Sequence, residues 1–581
     1  MTICYRVSPV LWRFCWLLAW GVGGLFVAES AAATPRALPE FGVVFNDDAD
    51  LAYVVPDRAR SEGLLTANVA ALADTPVKTL VYCIGMGGDL VLYPTRVASE
   101  VGWRHSEDEK PGSLMAMRME NARVCIAQGS DAVRTAGVAA KRYGLFFIPS
   151  LRMNDAHFMS NPDGHAMTSS FWLKNRDRLT IKDSPLAFQK AYGNLLDYSH
   201  AEVRQHRLDT AFEAIARNED LIDGFEFDFN RFQVFFPRGK AESRAKEISE
   251  MVRQLRERLD EVSRRQKRPM YLFVRIPPSL ADARTAGLEV DRWMEQGWVD
   301  LVSPAQIMTL AGDMPIADLI TLGQRHGVKI YPSLYPRNSW RIPYPELPGA
   351  QRYDGLQVGR EATLEEIRGA AAGYFAQGVD GFYLFNFYNA FGSTRPFPSS
   401  LYQVLRDTAR AENGAGQARV YAVTKSYYHD GVGSYAYAKQ LPAVMKKDHK
   451  LDLNLVIGEA PSTSVFPLKQ SELRLGLRGL PTGVVMTVSV NGSVIFRGEP
   501  PAGFTWDTRS IIGANPKQPD AAERYVHVPI SKPSIFKAGS NQVTVVLSES
   551  GGSTRLTDCE LRFSYHNDLE KLWRREPTPL N

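Results

Sequence analysis

Eight short apolar runs recur between residues 41 and 410 of this 581-residue chain, and most of them are followed by a segment with the three-to-four apolar spacing of an amphipathic helix. The runs are 41–48, 79–88, 145–155, 224–230, 272–279, 299–306, 329–336 and 381–389. Alternation of strand and helix predicts a parallel sheet, and eight repeats favour an α/β fold closed into a (β/α)8 TIM barrel. An open doubly wound sheet is the alternative, but no glycine-rich nucleotide loop supports it.

From about residue 420 the apolar pattern changes to a two-residue period with short turns. The stretch VSVNGSVIF (488–496) predicts a hairpin, because Asn491-Gly492 supplies the positive φ angles of a type I′ turn. We therefore expect an all-β, sandwich-like domain after the barrel. The expected boundaries are 34–410 for the barrel domain, 411–450 for a linker and packing segment, 451–566 for the β domain and 567–581 for a charged tail.

The amino terminus has the pattern of a cleaved secretory signal. Arg6 and Arg13 accompany the apolar run FCWLLAWGVGGLFVA, which the small residues SAAA follow. The sequence thus predicts a signal peptide at 1–33 and a secreted or periplasmic protein that leaves the membrane after cleavage.

Composition argues against several classes of partner. With 68 basic and 64 acidic residues the charge is nearly balanced, so nothing indicates nucleic acid. The cysteines lack the spacing of metal ligands, and we expect neither a metal nor another cofactor. The sequence does not determine an oligomeric state.

The stretch DGFEFDFNRF (223–232) places acids inside an aromatic run. In a strand successive side chains alternate, so the phenylalanines face the helices while Glu226, Asp228 and Asn230 face the barrel axis. Active sites of this fold lie at the carboxyl ends of the strands, where we expect Asp228 and Asn230, with Glu226 deeper. The structural alternative is a buried carboxylate held by an inward arginine such as Arg152 or Arg275.

Polar and aromatic residues follow several other predicted strands and are expected at the same mouth. They are Arg152, Asn154, Asp155, His157, Arg275, Gln306, Tyr335, Arg337, Asn386, Tyr388 and Asn389. Amides, arginines and aromatic rings beside acids are typical of carbohydrate recognition, although surface loops are polar in any protein.

The stretch DGFEFDFNRF, with DYSHAEVR (197–204) before it, resembles the fourth-strand region of secreted glycosyl-hydrolase-like barrel proteins of the family-10-like group. The resemblance implies a secreted, carbohydrate-active barrel with Asp228 at the family's strand-four aspartate and Arg231 at its arginine. The strand is also similar to the nucleophile strand of alpha-amylase-like barrels, except that Glu226 stands where that group has arginine. A further departure is the lack of a glutamate at the end of the fifth or sixth strand.

These residues suggest a glycoside hydrolase that uses carboxylate chemistry. The hypothesis makes Asp228 the nucleophile or base, Asp155 the acid, and Glu226 the residue that holds or tunes Asp228. The expected sugar contacts are Arg152, Asn154, His157, Asn230, Arg231, Arg275, Gln306, Tyr335, Asn386 and Tyr388.

Three further possibilities stay open at this point. The long segment 156–197, with Lys174, Arg176, Arg178 and Lys182, is either a lid that meets an anionic polysaccharide or a solvated basic loop. The first rival function is a non-catalytic carbohydrate-binding protein on the same barrel. The second is a metal-dependent hydrolase, which has no HxH or HExxH motif to support it and would use Asp47, Asp48, Asp155, His157 and Asp228.

Overall fold

A computed structural model describes most of the chain from residue 37 to residue 566. The ranges it leaves out within that span are 88, 106–111, 158, 160, 164, 186–192, 307–308, 339–359, 388–398, 426–436, 439, 462–465, 501–522 and 550–553. The predicted signal peptide, the predicted charged tail, Tyr388 and Asn389 lie outside the described residues.

One sheet of nine parallel strands surrounds the barrel axis. The strands are β1 (Val43–Asp47), β2 (Val77–Cys83), β3 (Phe146–Arg152), β4 (Gly224–Asp228), β5 (Tyr271–Ile276), β6 (Leu301–Pro304), β7 (Lys329–Ile330), β8 (Ser333–Leu334) and β9 (Tyr383–Leu384). Their order in the sheet is β7-β6-β5-β4-β3-β2-β1-β9-β8.

The seventh apolar run supplies both ends of this sheet. Tyr331 and Pro332 divide it into β7, which pairs with β6, and β8, which pairs with β9. Because β7 and β8 occupy one strand position, the sheet closes on itself with eight positions. The predicted barrel is therefore confirmed, and the open sheet is wrong.

Strand alternation divides the apolar side chains between two cores. Phe225, Phe227 and Phe229 lie in the core between strands and helices, as predicted. A separate cluster fills the inside of the barrel and consists of Phe41, Val44, Val81, Ile148, Tyr271, Phe273, Leu301, Tyr331, Tyr335, Tyr383 and Phe385. At the amino-terminal end of the barrel, the ring of Phe41 lies edge-to-face with those of Tyr271 and Phe273, at centroid distances of 5.1 and 4.9 Å. Polar side chains are thus left to the opposite end.

Helices cover the outside of the barrel. They are α1 (Arg58–Ala70), α2 (Leu114–Ala127), α3 (Ala132–Arg142), α4 (Ser170–Leu179), α5 (Ala201–Arg217), α6 (Ala241–Gln266), α7 (Leu280–Thr285), α8 (Val290–Glu295), α9 (Ala317–His326), α10 (Leu364–Phe375) and α11 (Ser399–Asp407). Side-chain caps fix several of their starts, and α10 begins with a full capping box between Thr363 and Glu366. Among the described residues, no helix combines the length and apolar character of a membrane span.

Short strands flank the upper part of the barrel. Gly85–Met86, Leu90–Val91 and Ser99–Glu100 form a small sheet after β2, and Arg337–Asn338 pairs with Arg360–Glu361.

Two antiparallel sheets follow the barrel and share one apolar core, so the predicted all-β domain is confirmed. The first contains Arg419–Ala422, Ala443–Val444, Leu468–Arg478, Glu523–Pro529 and Arg555–Tyr565; the second contains Leu451–Ile457, Met486–Val490, Ser493–Gly498 and Gly539–Leu547. Asn491 and Gly492 have φ angles of 48° and 83°, so the predicted type I′ hairpin is present. Two of these strands fall within 411–450, and the predicted domain boundaries themselves stay predictions.

Helix α10 joins the barrel to the β domain. Gly369 lies so near the first of these sheets that a Cβ atom there would be 1.9 Å from the carbonyl oxygen of Val420. Arg562 donates two hydrogen bonds to Glu365, at 2.7 and 2.8 Å. Backbone contact and ion pairing together hold the two domains against each other.

Candidate active site

Asp228 ends β4 on the inner side of the barrel and is only 3% exposed. Its Oδ1 accepts hydrogen bonds from Arg275 Nε at 3.1 Å and from the backbone N–H groups of Asn230 and Arg231, and its Oδ2 accepts from Arg275 Nη2 at 2.5 Å. The bidentate partner follows from the strand register, because Asp228 lies opposite Arg275 on β5. The arginine-held carboxylate that the sequence offered as an alternative is what the structure contains.

Arg275 is itself buried, and its guanidinium lies 3.7 Å from the ring centroid of Phe385. Burial would lower the pKa of Arg275, but the charge of Asp228, its hydrogen bond and the nearby Tyr383 and Glu226 together raise that pKa. Arg275 therefore stays protonated, and its two hydrogen bonds to the Asp228 carboxyl group join the two strands inside the barrel.

A second ionic network lies at the end of β3. Arg152 donates from Nη1 to Asp155 Oδ2 at 3.0 Å and pairs through Nη2 with Asp48 Oδ2 at 2.7 Å. His157 Nδ1 lies 2.5 Å from Asp155 Oδ1, and His157 Nε2 lies 3.2 Å from Arg231 Nη2. One connected chain of charged and polar groups thus runs across the mouth.

Both carboxyl groups of this network are ionised. Burial would raise the pKa of Asp155, but His157, with Arg152 and Arg231, holds that pKa below its ordinary value. The pKa of Asp48 is also lowered against burial, by the charges of the arginines around it. An ionised Asp155 does not suit the role of general acid that the sequence suggested.

His157 differs from its neighbours in its access to solvent. Its side chain is 39% exposed, whereas the side chains of Asp155 and Asp48 are each 5% exposed. The imidazole is thus held by a carboxylate and reaches solvent, as a group that transfers protons requires.

Glu226 lies deeper on β4 and is fully buried. Its Oε1 accepts from Ser150 Oγ at 2.6 Å and from the Tyr383 hydroxyl at 3.1 Å, while its Oε2 has no partner among the described residues. Burial, with a smaller contribution from the charge of Asp228, raises the pKa of Glu226 to about 7. Glu226 is below Asp228, as predicted, but no hydrogen bond joins the two side chains among the described contacts.

The remaining predicted contacts fall into two groups. Asn154 has a structural role, since its amide donates to the carbonyl oxygens of Leu196 and Val234. Asn230, Gln306, Tyr335 and Asn386 are buried at the mouth, where Tyr335 and Asn386 share a side-chain hydrogen bond.

The set proposed for a metal-dependent hydrolase does not converge. Asp47 turns away from Asp48 and accepts from Asn68 of α1 and from the backbone of Ala49. Within the part of the chain that the structure describes, no three acidic, histidine or cysteine side chains form a ligand set.

The long segment after β3 is largely packed. Phe171 of α4 stacks on His206 of α5 at 3.8 Å, and Arg178 pairs with Glu202 of α5. Arg176 pairs with Asp163, and Lys182 donates to the carbonyl oxygen of Arg176. These contacts favour a solvated basic surface over a cluster that awaits an anionic ligand.

Sequence reasoning gave too little weight to two residues. Asp48 entered only the metal hypothesis, yet it shares the Arg152 guanidinium with Asp155. The second residue is Phe385, whose ring lies against the guanidinium of Arg275. The two-residue period of FYLFNF (382–387) already placed Phe385 on the same strand face as Tyr383.

Comparison with known proteins finds similarity only at the level of solved structures, since no family model and no curated protein matches the sequence. A cycloisomaltooligosaccharide glucanotransferase from Paenibacillus sp. is 10% identical over 90% of this chain and 57% of its own, with a TM-score of 0.33. Chitinase ChiW from Paenibacillus sp. str. FPU-7 is 12% identical over 88% of this chain and 52% of its own, with a TM-score of 0.36. A family GH18 chitinase from Chromobacterium violaceum is 10% identical over 90% of this chain and 92% of its own, with a TM-score of 0.34.

The chain spans little more than half the length of the first two of these enzymes. The similar structures are carbohydrate-processing enzymes, but at these identities and TM-scores the likeness carries no argument about the site. The family-10-like assignment stays a prediction.

Proposed function

We propose that this protein is a carbohydrate-active enzyme that hydrolyses a glycosidic bond at the carboxyl-terminal mouth of its barrel. The supporting observation is the pairing of an ionised Asp155 with the solvent-reaching imidazole of His157, next to a second ionised carboxylate on the same guanidinium. Glycoside hydrolysis needs one group that protonates the leaving oxygen and one carboxylate that attacks the sugar or activates water.

In this proposal His157 is the proton donor. Asp155 accepts a hydrogen bond from Nδ1 and so holds the ring in position, while Nε2 accepts from Arg231. Once a sugar displaces Arg231, Nε2 takes up a proton from solvent and then delivers it to the leaving oxygen. Asp155 thereby supports the acid and is not the acid itself.

Asp48 is the proposed nucleophile or base. Its pKa is lowered, so it is ionised, and within the described residues its side chain pairs only with Arg152, through Oδ2. Oδ1 thus remains to meet a sugar carbon or a water molecule. Asp228 is less suited to this role, because both of its oxygens are engaged.

The test is the release of reducing ends from a panel of polysaccharides by the full chain and by three variants. Asp48→Asn and His157→Gln are expected to lower turnover at least 100-fold on any substrate that the wild type cleaves. Asp50→Asn is the matched control, because this nearby carboxylate is 45% exposed and lies 3.9 Å from Arg118. Full turnover by both site variants would refute the assignment.

A second candidate function is carbohydrate binding without catalysis. The observation that favours it is the complete engagement of Asp228 by Arg275, at the strand position where related barrels are expected to have a reacting carboxylate. Equilibrium binding of an oligosaccharide that is recovered uncleaved after prolonged incubation would select this function over hydrolysis.

A further inference from the structure

Five buried polar atoms at the carboxyl-terminal end of the barrel have no hydrogen-bond partner among the described residues. They are Asn46 Oδ1, Asn230 Nδ2, Ser303 Oγ, Gln306 Oε1 and Asn386 Oδ1. The five residues are between 0% and 6% exposed, so bulk water does not serve them.

The strand pattern directs these groups to one place. Asn46 follows Val44 by two positions on β1, and Val44 lies inside the barrel. Ser303 pairs in register with Arg275 on β6 and β5, and Arg275 reaches across the interior to Phe385. Gln306 follows β6, Asn230 follows β4 and Asn386 follows β9, all at the same end.

Unpartnered groups of this kind are costly. A buried donor or acceptor without a hydrogen bond costs about 1–3 kcal/mol, and native proteins satisfy nearly all of them. Several such atoms at one end of a barrel point to a polar ligand that supplies the missing hydrogen bonds.

The chemistry of the five atoms restricts that ligand. Three are amide carbonyl oxygens, which accept hydrogen bonds and cannot donate them. A hydroxyl group both donates and accepts, so a sugar hydroxyl pairs with every atom of the set. A carboxylate or sulfate only accepts, and three carbonyl oxygens would face it without a proton between them.

The charged side chains at the mouth also favour a neutral ligand. Arg152 already holds Asp48 and Asp155, and Arg275 holds Asp228. Arg231 contacts the imidazole of His157 and lies over the ring of Phe385. An anionic sugar would have to compete with these carboxylates for Arg152 or Arg275, or with the imidazole of His157 for Arg231, before its desolvation is offset.

We propose that the mouth recognises a neutral, hydroxyl-rich saccharide through Asn46, Gln306 and Asn386, in place of the anionic polysaccharide that the basic loop suggested. The inference rests on the proposed function for the presence of a saccharide and adds its charge class. Gln306 is the most direct probe, since its carbonyl oxygen has no protein partner to lose in the described structure.

Isothermal titration calorimetry of the full chain tests the proposal with two sets of hexasaccharides. The neutral set comprises the oligomers of cellulose, chitin, xylan and mannan and a methyl-esterified oligogalacturonate, and the anionic set comprises free oligogalacturonate, alginate and hyaluronan. At least one neutral ligand is expected to bind, at least tenfold more tightly than any anionic one. Its affinity should change less than threefold between 0.05 and 0.5 M NaCl.

Variants locate the recognition. Gln306→Leu is expected to weaken binding of that neutral ligand at least tenfold and to leave the melting temperature unchanged or higher, because it removes an unsatisfied polar atom. Asn46→Leu gives a second readout if Gln306→Leu does not fold. Exclusive, salt-sensitive binding of anionic ligands, or neutral binding that neither variant weakens, would overturn the inference and leave the proposed function standing. Binding of no saccharide at all would overturn both.

Discussion

Replacement of Glu226 by glutamine should make the protein more stable, with a much larger gain at alkaline pH than in acid. The pKa of Glu226 is raised in the folded protein from 4.5 to about 7, so folding favours the protonated acid. Stability is then lost as the pH rises from 4.5 to about 7, because the unfolded chain releases this proton first. A difference of this size corresponds to about 3 kcal/mol.

Glutamine is a close mimic of the protonated side chain at this position. Ser150 and Tyr383 both donate to Oε1, which glutamine keeps as a carbonyl oxygen. Oε2 has no partner in the part of the chain that the structure describes, so an amide nitrogen there breaks none of the described hydrogen bonds. The variant therefore removes the cost of ionisation without losing either contact.

Urea unfolding at pH 5 and pH 8 measures the effect. The gain in free energy of unfolding for Glu226→Gln over wild type is expected to be roughly 1 kcal/mol at pH 5 and about 3 kcal/mol at pH 8. Asp47→Asn is the control: its pKa is also raised to about 7, but Ala49 N–H and Asn68 donate to its two oxygens, so the new amide opposes a donor. An equal gain for Glu226→Gln at both pH values would refute the burial argument.

The other predictions concern packing and ion pairing. Arg275→Met leaves the carboxylate of Asp228 buried without its counter-charge and should lower the free energy of unfolding by about 3–5 kcal/mol. The double variant Asp228→Asn/Arg275→Met should lose less, because it removes the buried charge as well. Equal losses of unfolding free energy in the two variants would show that the pair is not coupled. Gly369→Ala puts a Cβ atom 1.9 Å from the Val420 carbonyl oxygen and should lower the melting temperature by several degrees. Gly373→Ala on the same helix is the control: its Cβ atom would meet its nearest atom at 3.4 Å, so this variant should be neutral or stabilising. Calorimetric scans of the two variants compare them directly, and similar melting temperatures would contradict the close approach.

The barrel was predictable from the sequence because its signals are local. Apolar runs and the three-to-four spacing between them depend on neighbours along the chain, as does the Asn491-Gly492 turn that indicated the β domain. The division of the seventh run at Pro332 was not predicted, because only the closed sheet shows that its two halves pair with different strands.

The chemistry at the mouth was less predictable because it depends on distant partners. Asp228 is acidic and faces inward, as the alternation indicated, but its accessibility depends on Arg275, which lies 47 positions away. The role of Asp155 changed for the same reason, since its ionisation follows from Arg152 and His157 in three dimensions. Residue types indicated the candidate site, and strand register determined which of its charged side chains pair with each other.

The division of the seventh strand gives the cylinder a seam. Each half contributes only two residues, and the closing contacts include the N–H groups of Tyr383 and Phe385, which donate to Pro332 and Leu334. Local opening of the barrel sheet should begin at this seam. These two amide protons are therefore expected to exchange with deuterium sooner than those of the longer β5. A saccharide that bridges the mouth from Gln306 to Asn386 would span this weak line and slow the exchange.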